Sequence, residues 1–355
     1  DLIGRVGDDE FALILPNTSM SAAMGCIRKV QSALRAPFVV LGARLNVRAR
    51  VGAALSPQHA TEPGVLYTRA DTALHLAKGR DGQYAFYDPA RDPYSADRIA
   101  LVDDLRRAIR EDQLVLHYQP KVDVQTCASE KVEALVRWNH PERGLLLPEC
   151  FVPLAEDTGL IEPLTLWVLR SALRQCQSWA EGGLQISVAV NLSAHSLGDQ
   201  SLVDVIAGLL RRAALGSGAL EVEITEGTLM ANASDAMHFL SGLHDLGVRV
   251  SIDDFGTGYS SFAYLKLLPI DHIKIDRGFV MKMATNDNDA IIVRSIIDLG
   301  HNLGLEVIAE GVESSQTWMM LRDRHCDLAQ GYYMSRPLRP DDAAAWLRTP
   351  EFATQ

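Results

Sequence analysis

From residue 98 onward the chain repeats one alternation: a short β-branched, aliphatic run, then a longer stretch whose apolar positions recur every three or four residues. The first pattern is that of a strand and the second that of an amphipathic helix. Strands are predicted at 115–119, 132–138, 186–191, 220–225, 248–253, 272–275, 306–309 and 326–330, and helices at 164–181, 201–214, 234–246, 289–303 and 314–324. Strands alternating with helices read as a parallel sheet. Eight of them over about 250 residues fit an α/β fold closed as a (β/α)8 TIM-like barrel, whose chemistry lies at the C-terminal ends of the strands.

Residues 1–88 follow a different rhythm: a hairpin-like start (3–15), a helix (19–34), strands around 45–55 and a second helix (65–78). That is too little for a complete α/β domain of this pattern. Pro89 and Pro93 fall among charged residues, and Ser95 is placed to cap a helix running to Ile109. The expected organisation is therefore 1–88, a linker at 89–97, and the barrel from 98 to 355.

Composition narrows the classes. The hydrophobic fraction of 47% suits ordinary soluble packing, and no run approaches the ~18 apolar residues of a membrane span. The chain begins at Asp1, not Met, so an upstream leader or anchor is not readable; the portion in hand is expected to be cytoplasmic. A net charge of -11 argues against a duplex nucleic-acid binder. It does not exclude a phosphate ligand bridged by cations. Cys26, Cys127, Cys150, Cys176 and Cys326 form no CxxC pair, which favours a reduced setting without structural zinc.

The polar residues of the predicted strands form a series. Glu133 lies on the second strand, Asn191 ends the third, Glu223 is on the fourth, and Asp253 with Asp254 closes the fifth. Lys274 is on the sixth, Glu310 ends the seventh and Gln330 ends the eighth. One such residue is explained by an exposed strand end. The whole series is not, because barrel interiors are normally apolar and unpartnered buried acids are costly. Carboxylate and amide oxygens without thiolate or histidine suit Mg²⁺ or Mn²⁺. Several acids against one lysine suggest two cations, a recurrent device for phosphodiester hydrolysis. Asp253 and Asp254 are placed to bridge them, and the glycines after the pair, Gly256 and Gly258, allow close backbone approach. Lys274 is placed to orient the water or to neutralise charge on the phosphate.

At these residues the chain resembles the EAL family of cyclic-di-GMP phosphodiesterases. The motifs are Glu133-Ala134-Leu135-Val136-Arg137, Asn191-Leu192-Ser193, Glu223-Ile224-Thr225-Glu226, the 253–260 loop, Lys274-Ile275-Asp276, Glu310-Gly311-Val312-Glu313 and Gln330-Gly331-Tyr332. The resemblance implies hydrolysis of cyclic-di-GMP to linear pGpG by a two-metal-activated water. It implies that Glu133, Asn191, Glu223 and Asp253 hold one metal and that Asp253 and Asp254 serve the second. Lys274 and Glu310 would act on the water, with Glu310 the usual candidate for general base. Gln119, Arg137 and Gln330 would contact the dinucleotide, Glu226 would brace the 253–260 loop, and a homodimer would form near that loop.

Residues 1–88 resemble the second half of a GGDEF diguanylate cyclase domain, through Gly7-Asp8-Asp9-Glu10-Phe11 and Ala70-Asp71-Thr72-Ala73-Leu74. Asp8 stands where the motif has its second glycine, adding a side chain and a negative charge where backbone should approach GTP. The resemblance thus implies an inactive or regulatory module, with GTP a candidate ligand.

Overall fold

The structure, a computed structural model, describes residues 1–7, 10–34, 38–40, 43–45, 47, 49–78, 84–89, 92, 96–231, 233–258 and 265–349. Asp8, Asp9 and Ser95 lie outside these residues, as do Tyr259 and Ser260 of the loop after the acid pair. The chain divides into two compact units, Asp1–Asp103 and Asp104–Gln355, a boundary inside the helix Ala96–Ala108.

In the first unit, β1 (Leu2–Arg5) and β2 (Phe11–Ile14) form the expected antiparallel hairpin, Leu2 facing Ile14. The helix Met20–Ala33 starts where Ser19 accepts a hydrogen bond from the Ala22 N–H, and a second helix spans Pro63–Lys78. Four further strands were not expected from the sequence or only approximated: β3 (Phe38–Val40) pairs with β4 (Ala43–Leu45), and β5 (Val51–Ala53) runs parallel to β6 (Tyr84–Phe86).

The second unit is a closed barrel. Its strands are β7 (Leu114–Asp123), β8 (Lys131–His140), β10 (Ser187–Asn191), β11 (Leu220–Thr225), β12 (Arg249–Phe255), β13 (His272–Ile275), β14 (Glu306–Glu310) and β15 (Leu328–Gln330), with β9 (Gly144–Leu146) folded back onto β8. The ladder runs from β10 through β15 to β7 and β8, and β8 closes the ring by pairing with β10. Helices Ile161–Glu181, Gln200–Ala213, Ala233–Asp245, Asp287–Asn302 and Ser315–Asp323 match the predicted ones to within three residues at each end. Helix Pro148–Thr158 was not anticipated.

The expectation of a wholly parallel sheet is corrected at β7, which runs antiparallel to both neighbours, β8 and β15. The reason is length. Only residues 124–130 separate β7 from β8, far fewer than the dozen or more that a parallel crossover needs, so the two strands form a hairpin.

Strand alternation then sorts the side chains. On β11, Leu220, Val222 and Ile224 are buried on one face while Glu221 and Glu223 are buried on the other. Tyr118 of β7 packs edge-on against Trp179 of helix Ile161–Glu181, at 4.8 Å between centroids, so that face looks outward. Lys121 of β7 reaches Glu221 and Glu223 on the non-adjacent β11, so the other face looks into the barrel. The apolar core therefore lies between strands and helices, and the barrel interior is polar.

Candidate functional site

The acid pair is positioned by an irregularity. In a regular strand Asp253 and Asp254 would point to opposite faces. The β12–β13 register slips between Ile252 and Phe255, and Asp254 adopts φ 54°, the left-handed region that few residues other than glycine, Asn and Asp enter. The slip re-aims the second acid. Oxygens of Asp253, Asp254 and Glu310 lie within 4.8 Å of one another at the mouth of the barrel.

The loop that follows is tied to Glu226, which is 2% exposed. Its Oε2 accepts hydrogen bonds from the N–H groups of Gly256 (2.8 Å) and Gly258 (3.3 Å). A Cβ at position 258 would approach Glu226 Oε1 to 2.9 Å, so a side chain there would displace the contact.

Lys274 gathers the acids. Its Nζ lies 2.7 Å from Glu223 Oε2, 2.7 Å from Glu310 Oε1, 3.2 Å from Asp253 Oδ1 and 3.8 Å from Glu133 Oε2. Burial alone would pull the ammonium down, but Asp253, Glu133, Glu223 and Glu310 hold it well above its usual range. The acids respond unequally. Burial, reinforced by neighbouring carboxylates, pushes Glu310 up to about 8 and Glu133 up to about 7, in spite of Lys274. Glu223 goes the other way: burial opposes its charge, yet Lys121 and Lys274 outweigh burial and keep it below the ordinary range.

Amides link Glu133 to its neighbours. Asn191 Nδ2 donates to Glu133 Oε1 at 2.7 Å, and Gln330 Nε2 donates to Glu133 Oε2 at 2.6 Å and to Gln119 Oε1 at 3.0 Å. Gln119 in turn donates to the Ser335 carbonyl at 2.9 Å. Gln330 Oε1 is buried without a protein partner. Arg137 is half-buried and donates to the Val136 carbonyl at 2.8 Å. Burial, then the positive charges of Arg137 and Arg339, hold His117 below its usual value.

The sequence reading missed a second layer of charge beneath this site. Lys121, 0% exposed, donates to Glu221 Oε1 at 2.8 Å and to Glu223 Oε1 at 2.7 Å. Ser251 donates to the same Glu221 oxygen at 2.5 Å. Below them, His272 contacts Glu306 at 3.0 Å and Lys131 reaches Glu306 at 2.6 Å. Burial lowers His272, but Glu221 and Glu306 reverse the effect and hold it above its usual value. The expectation of one lysine against all the acids is corrected accordingly, because Lys121 also serves Glu223. At the mouth itself, Glu133, Glu223, Asp253, Asp254 and Glu310 still outnumber Lys274. Such an all-oxygen, net-negative cluster fits a hard divalent cation.

Fold and site together define an eight-stranded barrel with one reversed strand and a carboxylate-rich mouth. The EAL domain family matches residues 102–337, and the chain belongs to it. Residues 1–83 match the family described as diguanylate cyclase, GGDEF domain. The chain is 40% identical to the bifunctional diguanylate cyclase/cyclic di-GMP phosphodiesterase MucR of Pseudomonas aeruginosa, over 97% of this chain and 51% of that protein. It is 37% identical to the cyclic di-GMP phosphodiesterase PdeR of Escherichia coli, over 98% of this chain and 52% of that protein. The chain thus spans about half the length of these curated relatives. Among solved structures, the PaMucR phosphodiesterase in complex with c-di-GMP superposes with TM-score 0.67 at 45% identity, covering 69% of this chain and 99% of that one. No helix among the described residues is long and apolar enough to cross a membrane.

Proposed function

We propose that the barrel hydrolyses cyclic-di-GMP to linear pGpG with Mg²⁺ or Mn²⁺. The observation that carries this reading is the convergence of Asp253, Asp254 and Glu310 oxygens at the mouth of an EAL-family barrel. Glu133, Asn191, Glu223 and Asp253 would hold one cation, and Asp253 with Asp254 the other. When bound, such cations polarise a phosphoryl oxygen and acidify water. The protein's own groups do the rest. Glu310, whose carboxylate lies beside the Asp253–Asp254 pair, would accept the proton of the attacking water. Lys274, 2.7 Å away, stays charged and offsets negative charge developing on the phosphate. Water adds to phosphorus, one ribose oxygen leaves, and a proton passes to it. Arg137, Gln119 and Gln330 bind the remainder of the dinucleotide, and Glu226 holds the loop that carries Asp254 in place.

In this reading residues 1–88 are the C-terminal part of a GGDEF-like domain that regulates rather than cyclises, 89–97 a linker, and 98–355 the enzyme, acting as a homodimer. Asp8 in place of glycine supports the loss of cyclase chemistry. The test is to incubate the chain with cyclic-di-GMP and Mn²⁺ and to separate products by chromatography. Formation of pGpG that stops in chelator is expected. Absence of pGpG, or a Glu133→Ala variant as fast as the parent, overturns the assignment.

A further inference from the structure

We propose that Lys121 is a positioning residue for the metal centre, anchoring one oxygen of Glu223 from inside the barrel so that the other is presented to a cation. The proposal rests on the metal reading of the site. Because β7 runs backwards, the residue two places after Gln119 lies deeper in the barrel instead of nearer the mouth, and that residue is Lys121. Its ammonium takes Glu223 Oε1 at 2.7 Å, while Lys274 takes Oε2 at 2.7 Å. The two oxygens are not equivalent. Lys274 is shared with Asp253, Glu133 and Glu310, so Oε2 belongs to the cluster that would exchange partners as a cation enters. Among the described residues Lys121 contacts only Glu221 and Glu223 of the acids, at a fully buried position, so Oε1 is committed.

The anchor is itself braced. Glu221 Oε1 accepts from both Lys121 and Ser251, and Ser251 lies two residues before Asp253 on β12. A free carboxylate rotates about its last torsion between roughly equivalent states. Fixing that torsion beforehand removes an ordering cost from cation binding, as hydrogen-bonded supports of ligating side chains do at other metal sites.

A lysine that served only to balance buried charge would be dispensable once its partner's charge is also removed. The comparison is therefore between Glu221→Gln, which leaves Lys121 on Glu223, and the charge-matched double variant Lys121→Met/Glu221→Gln, which does not. Mn²⁺ is titrated calorimetrically into chelator-stripped protein, with folding checked by circular dichroism. Glu221→Gln is expected to bind within about threefold of the parent, and the double variant about tenfold or more weakly, with kcat falling more than KM rises. A folded double variant that binds Mn²⁺ as Glu221→Gln does overturns the role of Lys121. Where the double variant does not fold, Lys121→Gln is compared with the parent, and unchanged Mn²⁺ affinity overturns the role equally. Parent protein that binds no Mn²⁺ overturns the metal reading itself, a result separate from either variant comparison.

Discussion

Two layers of the barrel interior carry charge, and they balance it differently. In the lower layer Lys121, Lys131 and His272 face Glu221 and Glu306, so anions and cations are nearly matched. At the mouth there are five carboxyls, of which Glu133, Glu223, Asp253 and Glu310 share Lys274 and Glu223 alone also takes Lys121. A buried ion costs several kcal/mol to desolvate and is tolerated when paired. The lower layer meets that condition with protein groups alone. The mouth does not: burial and crowding of like charges push Glu133 and Glu310 up toward neutral pH instead. Stability and function are thus separated by depth within one barrel.

Substitutions that sharpen this contrast should divide along the same line. Lys121→Ala, which takes a fully buried ammonium from Glu221 and from one oxygen of Glu223, is expected to cost about 3–5 kcal/mol in chemical denaturation. Glu310→Gln at the mouth is expected to slow pGpG formation about a hundredfold or more while leaving the melting temperature in chelator at pH 8 unchanged or higher. A large loss of stability there would erase the distinction between the layers. Glu226→Ala should reduce turnover about tenfold and weaken Mn²⁺ binding less, since it loosens the loop bonded at Gly256 and Gly258. A parallel fall of rate and affinity would place Glu226 among the ligands.

The pH dependence follows from the raised carboxyls. Glu133 and Glu310 bind protons more tightly folded than unfolded, so their contribution is fully present below the ordinary carboxylate range of about 4.5 and is lost as pH rises through about 7 and 8. The melting temperature in chelator should fall over that window, and Mn²⁺ should flatten the slope. A slope that persists unchanged with saturating Mn²⁺ would contradict the cation's place among these acids. The smallest effect is expected for Glu306→Gln. Glu306 is half exposed, and solvent screening keeps the loss under about 1 kcal/mol.

The strand and helix pattern made most of the barrel legible, because β-branched runs and amphipathic stretches are local signals. The reversed β7 escaped because direction depends on connection length, and ending the first strand at Gln119 hid how short the link to the second one is. Lys121 and Glu221 escaped with it. Both lie two residues from positions already recognised, Gln119 and Glu223, so the period of a strand places them on the same face. Extending β7 past Gln119 would have shown Lys121 entering the interior. The register slip at Asp253–Asp254 had no local signature beyond the glycines after it, since it arises from how β12 meets β13.

That slip has a consequence for anyone who would transplant the site. Copying the Asp-Asp dipeptide onto an ordinary strand end would deliver one acid to the pocket and turn the other toward the flanking helices. The portable unit is a backbone path: Ser251 to Gly258 with its left-handed Asp254, together with the Glu226 carboxylate that grips the loop amides. A graft lacking any of these would inherit the letters of the motif and only one of its two acids at the pocket.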